Sequence, residues 1–322
     1  MVNLEIDLVN LFMIGEHFSI NESGHEYRDT TTIKCDDYTF VFKQYDINLK
    51  QNNFLNQTLV TTSVSINNIH EEEIEKVLET IDDICWLLSF TQQSLISRYS
   101  YRINNEDSHL INCSGIIVNP SAHIIEPRGK AIRNFIEQVY QTYIQIKNIR
   151  QLPVVIGYLC EANRSSLACE ISLISCYIVI ENLKHTFSIE QGYKYKDSNY
   201  SHPLYPPQDY HCENKEEYCF REDLGLWIHK KFGRCRSAEM TKRMFEHAKI
   251  SRDRIATILK KRNSMIHEGI LLPFGDENYN TQALKDLNNV NDLLRKYLLI
   301  ILGYKGEYIL NSDRIGASGV IK

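Results

Sequence analysis

The chain has 322 residues, 43% hydrophobic and 24% charged, with only 14 Gly and 7 Pro. That length buries one large core or two moderate ones, and the composition excludes long disordered tracts. Apolar runs fall far short of the roughly 20 residues that span a bilayer, and no basic stretch followed by an apolar run opens the sequence. Nine cysteines lie scattered without a framework, so free thiols, a cytoplasmic location and no membrane contact are expected. The net charge of −5 conceals an asymmetry: between Ile228 and Arg262, twelve Lys and Arg stand against three acids. A concentrated positive segment on an acidic chain is the footprint of a polyanion site, although the same window also suits a solvated helix face.

Residues 1 to about 67 read as strands. Val2, Leu4, Ile6 and Leu8 alternate with polar neighbours, and 38–49 and 59–66 follow the same two-residue period. Asn21–Gly24 and Gln51–Asn53 supply turn chemistry. A helix is expected from Asn68, with Glu71 in capping-box spacing and Ile74, Val77, Leu78, Ile81, Ile84, Cys85 and Leu88 buried. Two further strands follow, at 97–103 and 110–118. Residues 1–125 therefore read as a β-rich α+β domain: a mostly antiparallel sheet with one helix against it.

Asn119-Pro120 and Glu126-Pro127-Arg128-Gly129 mark a boundary, after which the period becomes helical. Helices are expected at 129–149 and 166–183. The second has Leu167, Ile171, Ile174 and Ile178 on one line and apolar residues opposite, the pattern of a central helix. Glu181 continues that line. A carboxylate there pairs with Arg262, positions His267, or emerges at the helix end. From about 188 to 236 the rhythm breaks into Tyr, Lys, His and Pro, a composition that suits stacking on unpaired nucleotides and equally a loop packed by its tyrosines. His211, Cys212, Cys219 and Cys235 raise a zinc alternative but lack the short knuckle spacing of a tetrahedral site. Helices at 237–247, 251–269 and 281–302 complete an all-α bundle of four or five helices over 126–322, with the long insertion inside it and a frayed tail carrying Gly316 and Gly319.

The stretch Ser251–Gly269 has a Ser cap, Asp253 in its first turn, an Ile250/Ile255 staple and a terminal Gly. Arg262, Asn263 and His267 fall in its last turns. This Arg262-Asn263-x-x-x-His267 run resembles the R-x(4–6)-H signature of the HEPN (higher eukaryotes and prokaryotes nucleotide-binding) superfamily, over about 128–304. Ile180-Glu181-Asn182-Leu183, on the second of the expected helices, also resembles the common style of the family. The β-rich half before the bundle resembles the layout of HEPN proteins from abortive-infection and anti-phage systems; the insertion departs from the minimal bundle.

The resemblance implies a metal-independent, cofactor-free endoribonuclease, a toxin or anti-phage effector. In it His267 transfers protons, Arg262 binds phosphate and Asn263 adds hydrogen bonds; Glu181, read from its place on the stripe, is the candidate that supports them. It implies RNA as the partner, a homodimer or higher even oligomer with a composite site, and a trigger ligand or protein at the N-terminal domain. Lys260, Lys261 and Arg254 are the expected RNA-binding cations. The physics is consistent: RNA carries its own 2′-OH nucleophile, imidazole moves protons near neutral pH, and guanidinium matches phosphate oxygens. On a continuous helix, positions 262 and 267 are about 140° apart while 263 and 267 are neighbours, which favours a second chain completing the site. Two alternatives stay open: a HEPN-like bundle that binds nucleic acid or nucleotide without cutting, and a pure protein-interaction module.

Overall fold

A computed structural model describes residues 1–20, 26–45, 60–104, 106–110, 123–164, 166–196, 199–201, 218–221, 226–229, 234–251, 255, 258–262, 279–311 and 318–321. The protein is a mixed α+β chain. Seven strands open it: β1 (Val2–Val9), β2 (His17–Ile20), β3 (Glu26–Cys35), β4 (Tyr38–Gln44), β5 (Val60–Ile69), β6 (Ser97–Ile103) and β7 (Glu106–Leu110). They form one sheet in the order β2-β3-β4-β5-β1-β6-β7, every neighbouring pair antiparallel. Register follows the alternation: Leu4 faces Ile66 and Ile6 faces Val64, all buried, while Ile33 opposes Phe40. A one-residue slip would turn these side chains to water, so the apolar pattern itself fixes the pairing.

Helix α1 (Ile74–Gln92) buries Val77, Leu78, Ile81, Ile84, Cys85 and Leu88 as expected and packs against β6. Its start is later than the sequence suggests. Asn68 still belongs to β5, in the left-handed region at φ 61°, and its N–H donates to the Asn3 side chain at 3.2 Å. The N-terminal hydrogen bond falls two residues on, from the His70 N–H to Glu73 at 3.1 Å. Asn tolerates the left-handed turn that ends a strand, and this competes with its use as a cap.

The expected boundary is a close junction. The Ile14 N–H donates to the Pro127 carbonyl at 2.8 Å, and the Gly129 N–H returns to the Ile14 carbonyl at 2.7 Å. A Cβ at Gly129 would lie 2.0 Å from the Thr31 hydroxyl, so only glycine lets α2 (Gly129–Ile146) start this near the sheet. Helix α2 packs on β3 and α1, and one hydrophobic cluster runs through both halves of the chain.

Helix α3 (Leu152–Ala162) has no counterpart in the sequence reading: it is short and nearly all apolar, so periodicity does not single it out. Helix α4 (Cys169–Glu190) is longer than expected and presents the opposite face. Its buried line is Leu173, Cys176, Tyr177, Ile180, Leu183, Lys184 and Phe187. Ile171, Ile174 and Ile178 are 51%, 43% and 41% exposed. With both faces apolar, α3 and the long helix at Tyr279–Ile301 decide which one is covered.

The second half is not all-α. Short strands β8 (Lys194–Lys196), β9 (Asn199–Ser201) and β12 (Arg234–Arg236) form a three-stranded sheet, and β10 (Tyr218–Arg221) pairs with β11 (Leu226–His229). Helices α5 (Ser237–His247) and α6 (Tyr279–Ile301) follow. Ile250 and Ile255 are both buried, as a staple requires, and the chain is helical at 255 and 258–262. Gly303, at φ 73°, ends α6 as expected.

The described part of the tail is ordered rather than frayed: β13 (Gly306–Ile309) pairs with β14 (Ser318–Ile321), burying Tyr308 and Ile321, while Gly316 lies outside the described residues. The Ile309 N–H donates to the Ile124 carbonyl at 2.8 Å. Gly319 admits the Tyr308 ring, which a Cβ there would meet at 2.4 Å. The glycine read as a sign of disorder is therefore a packing residue. Tyr308→Ala is expected to lower stability by about 3 kcal/mol in urea denaturation, whereas an unstructured tail would leave the midpoint unchanged.

Candidate functional site

The site is built on the C-terminal half of α4. Glu181 and Lys184 are one turn apart there, and the carboxylate bridges two cations. Its Oε1 forms an ion pair with Arg262 Nη2 at 2.7 Å, and its Oε2 pairs with Lys184 Nζ. Lys184 Nζ also donates to Ser237 Oγ at 2.6 Å, in the first turn of α5. It lies 5.9 Å from the centre of the Tyr200 ring on β9. One row of side chains therefore joins the helical stretch 258–262, α4, α5 and the small sheet.

Exposure differs along the row. The Lys184 side chain is 3% exposed, Arg262 18% and Glu181 37%. Burial pushes the Lys184 ammonium below its ordinary 10.5; Glu181 opposes this and Arg262 adds to it. A buried ammonium persists only where charge and hydrogen bonds compensate its desolvation, and here Glu181 and Ser237 do so. Of the alternatives for Glu181, pairing with Arg262 is the one seen among the described residues. A guanidinium has five donors in a fixed plane, so a carboxylate on one edge sets the orientation of the whole group.

The neighbouring cations divide. Lys261 is held by both carboxylate oxygens of buried Asp286 on α6, which also accepts from Gln282 at 2.8 Å. Lys260 is exposed. Asn263, His267 and Arg254 lie outside the described residues, as do His211 and Cys212, and nothing is described of the Cys219 side chain. Cys235 is buried and donates to the Arg236 carbonyl at 3.5 Å, with its thiol pushed up to about 11 by burial. Among the described residues no cluster of His, Cys, Asp and Glu is arranged to hold a metal, and no helix is long and apolar enough to cross a membrane.

Lys184 and Ser237 are the residues that sequence reasoning missed. The signal was present: Lys184 falls between Ile180 and Phe187 at the spacing of the buried line. A lysine inside an apolar stripe calls for a carboxylate one turn away, and Glu181 is that carboxylate.

Comparison with protein-family models, with curated proteins and with solved structures finds no match to this chain.

Lys184→Met removes the buried charge while keeping the stem. The sign of its pH effect follows from the lowered pKa. Between the folded-state value and 10.5 the unfolded chain binds more protons, so wild-type stability gains as pH rises through that alkaline window. The variant lacks this gain. Urea midpoints measured from pH 8 to 10 are expected to show wild type improving relative to Lys184→Met; parallel curves would mean that Lys184 titrates as in the unfolded chain.

Proposed function

We propose that this protein is a metal-independent endoribonuclease resembling the HEPN superfamily, acting in the cytoplasm as a homodimeric toxin or anti-phage effector. The N-terminal sheet would serve as the reader of its trigger. One observation carries the reading: Arg262, the first residue of the R-x4-H run, is oriented by Glu181 on α4, inside the Ile180–Leu183 segment that shares the family's style. The arginine is only partly buried, in a segment rich in cations.

In this mechanism the RNA 2′-oxygen attacks the adjacent phosphorus, forming the 2′-O–P bond as the P–O5′ bond breaks. The products are a 2′,3′-cyclic phosphate and a 5′-OH. One His267 imidazole accepts the 2′-OH proton, and an imidazolium supplies the proton to the departing 5′-oxygen. Arg262 stabilises the charge growing on the phosphorane oxygens, and Asn263 adds a hydrogen bond. Two chains facing each other supply both histidines.

The dimer has its own support. Ile171, Ile174 and Ile178 lie along α4 in line with Glu181, leaving an apolar stripe that leads to the Arg262 cluster. A contact between two copies along this stripe places both clusters at one interface. Ile174→Asp is expected to convert a dimer to a monomer in light scattering after size exclusion, and a wild-type monomer at micromolar concentration would remove this face as the interface.

The Glu181 pairing also favours a second reading, a HEPN-like bundle that binds nucleic acid without cutting, in which Arg262 is a structural ion-pair partner. Incubation with total RNA in EDTA, followed by end mapping, separates them. Cleavage is expected to fall about 100-fold or more in His267→Ala and about 100-fold in Arg262→Lys, which keeps the charge opposite Glu181 but loses the planar fork. Binding without new 5′-OH ends would establish the second reading.

A further inference from the structure

We propose that Ser237 and Lys184 form a serine–lysine pair that cleaves carboxylic esters, with Ser237 as the nucleophile and Lys184 as its base. The inference goes beyond the ribonuclease reading and does not depend on it.

The placement of the serine carries the argument. Strand β12 ends at Arg236 in extended backbone, φ −70° and ψ 158°, and α5 begins at Ser237. A serine at a strand-to-helix turn holds its hydroxyl at the positive end of the helix. The first-turn N–H groups of α5 have no intrahelical acceptor, and the Arg236 side chain does not cap them. They are donors for the charge that grows on a carbonyl oxygen during acyl transfer. Ser237 is half-buried between exposed Arg236 and Ala238, so an ester reaches it from solvent.

Lys184 stands behind the serine. Its side chain is 3% exposed, and Nζ lies 2.6 Å from Ser237 Oγ. As an ammonium it donates to that oxygen. As a neutral amine its lone pair takes the same direction, and the serine O–H donates. Glu181 Oε2 occupies a second direction around Nζ, which fixes where the lone pair points. Glu181 is therefore a positioning residue of the pair.

The surrounding charges favour a usable amine. Burial is the largest influence on Lys184 and lowers its pKa; Glu181 on α4 raises it, and Arg262 from the stretch at 258–262 lowers it. A buried lysine that loses its proton readily is suited to act as a general base. On β9, the Tyr200 phenol is held neutral, pushed up by burial. On β12, the Cys235 thiol is likewise neutral, at about 11, and Arg236 is exposed. On α5, Glu239 and Arg243 pair with each other at 3.7 Å.

In acylation Ser237 Oγ bonds to the ester carbonyl carbon as Lys184 Nζ takes its proton. The tetrahedral intermediate collapses with cleavage of the carbon–alkoxy bond, and the ammonium passes the proton to the departing alcohol oxygen. Water then adds to the acyl-serine, giving a proton to Lys184. The bond from Oγ to the acyl carbon breaks as the ammonium reprotonates Oγ, and a carboxylic acid is released.

The test uses the full chain and two probes: a fluorophosphonate, which attaches phosphorus to a nucleophilic serine with loss of fluoride, and p-nitrophenyl acetate as the ester. Peptide mass spectrometry is expected to find the phosphonyl group on Ser237, at a rate that climbs from about pH 7 to pH 10. Ser237→Ala is expected to lose the label and the ester cleavage, and Lys184→Met to slow both about 100-fold. Glu181→Gln keeps the shape at 181 but removes the carboxylate that raises the Lys184 pKa. Its rate profile is expected to move to lower pH by about one unit, a shift that a merely structural hydrogen bond does not produce. A Ser237 left unlabelled in the folded wild type would overturn the pair, as would ester release no faster than that of Ser237→Ala. So would a labelling rate that is unchanged in Lys184→Met. Should Lys184→Met fail to fold, the Glu181→Gln profile decides: a shifted profile upholds the base, and an unmoved one removes it.

Discussion

Glu181 stands between two cations, and the helical half is arranged around that contact. Without the carboxylate, Lys184 would be a buried ammonium left, among the described residues, with the Ser237 hydroxyl and the Tyr200 ring, and Arg262 would lose its ion pair to α4. The row spans four separate elements, so displacement of any one of them takes from it an ion pair, a hydrogen bond or a ring contact. That is a strong constraint on geometry even where the net contribution to stability is small.

The scaffold beneath it is conventional in its physics. A seven-stranded antiparallel sheet covers one face with α1, and α2 is brought down onto β3 by a glycine whose missing side chain leaves room for Thr31. From there α3 and α4 stack as neighbours and α6 packs on α4, continuing the same apolar cluster. The site sits on the C-terminal half of α4, where ion pairs join the apolar packing: Lys184 with Glu181, Lys261 with Asp286, Arg150 with Glu190.

The sheet and α1 were legible because their two periods are unambiguous: Leu4, Ile6 and Leu8 alternate, and Val77, Ile81, Ile84 and Leu88 recur at helical spacing. Helix α4 was legible as a helix but not as to its face. Ile171, Ile174 and Ile178 make as good a stripe as Leu173, Tyr177 and Ile180, and only the neighbours chose between them. Asn68 and Gly319 misled for a related reason: residues that tolerate turns also serve strand ends and close ring packing. At the site, Arg262 and Glu181 were named together because a carboxylate on a stripe needs a partner. Lys184 was missed because a lysine is counted with the surface by default.

The tail has a consequence for how the molecule is made. The bond from Ile309 to Ile124 ties the last hairpin to the joint between sheet and bundle. It forms only after residue 309 has been made, whereas every strand of the large sheet and α1 lie within residues 2–110. During synthesis the strands of the sheet can therefore pair, and Ile14 can bond to Pro127 and Gly129, before this tie is added to the joint.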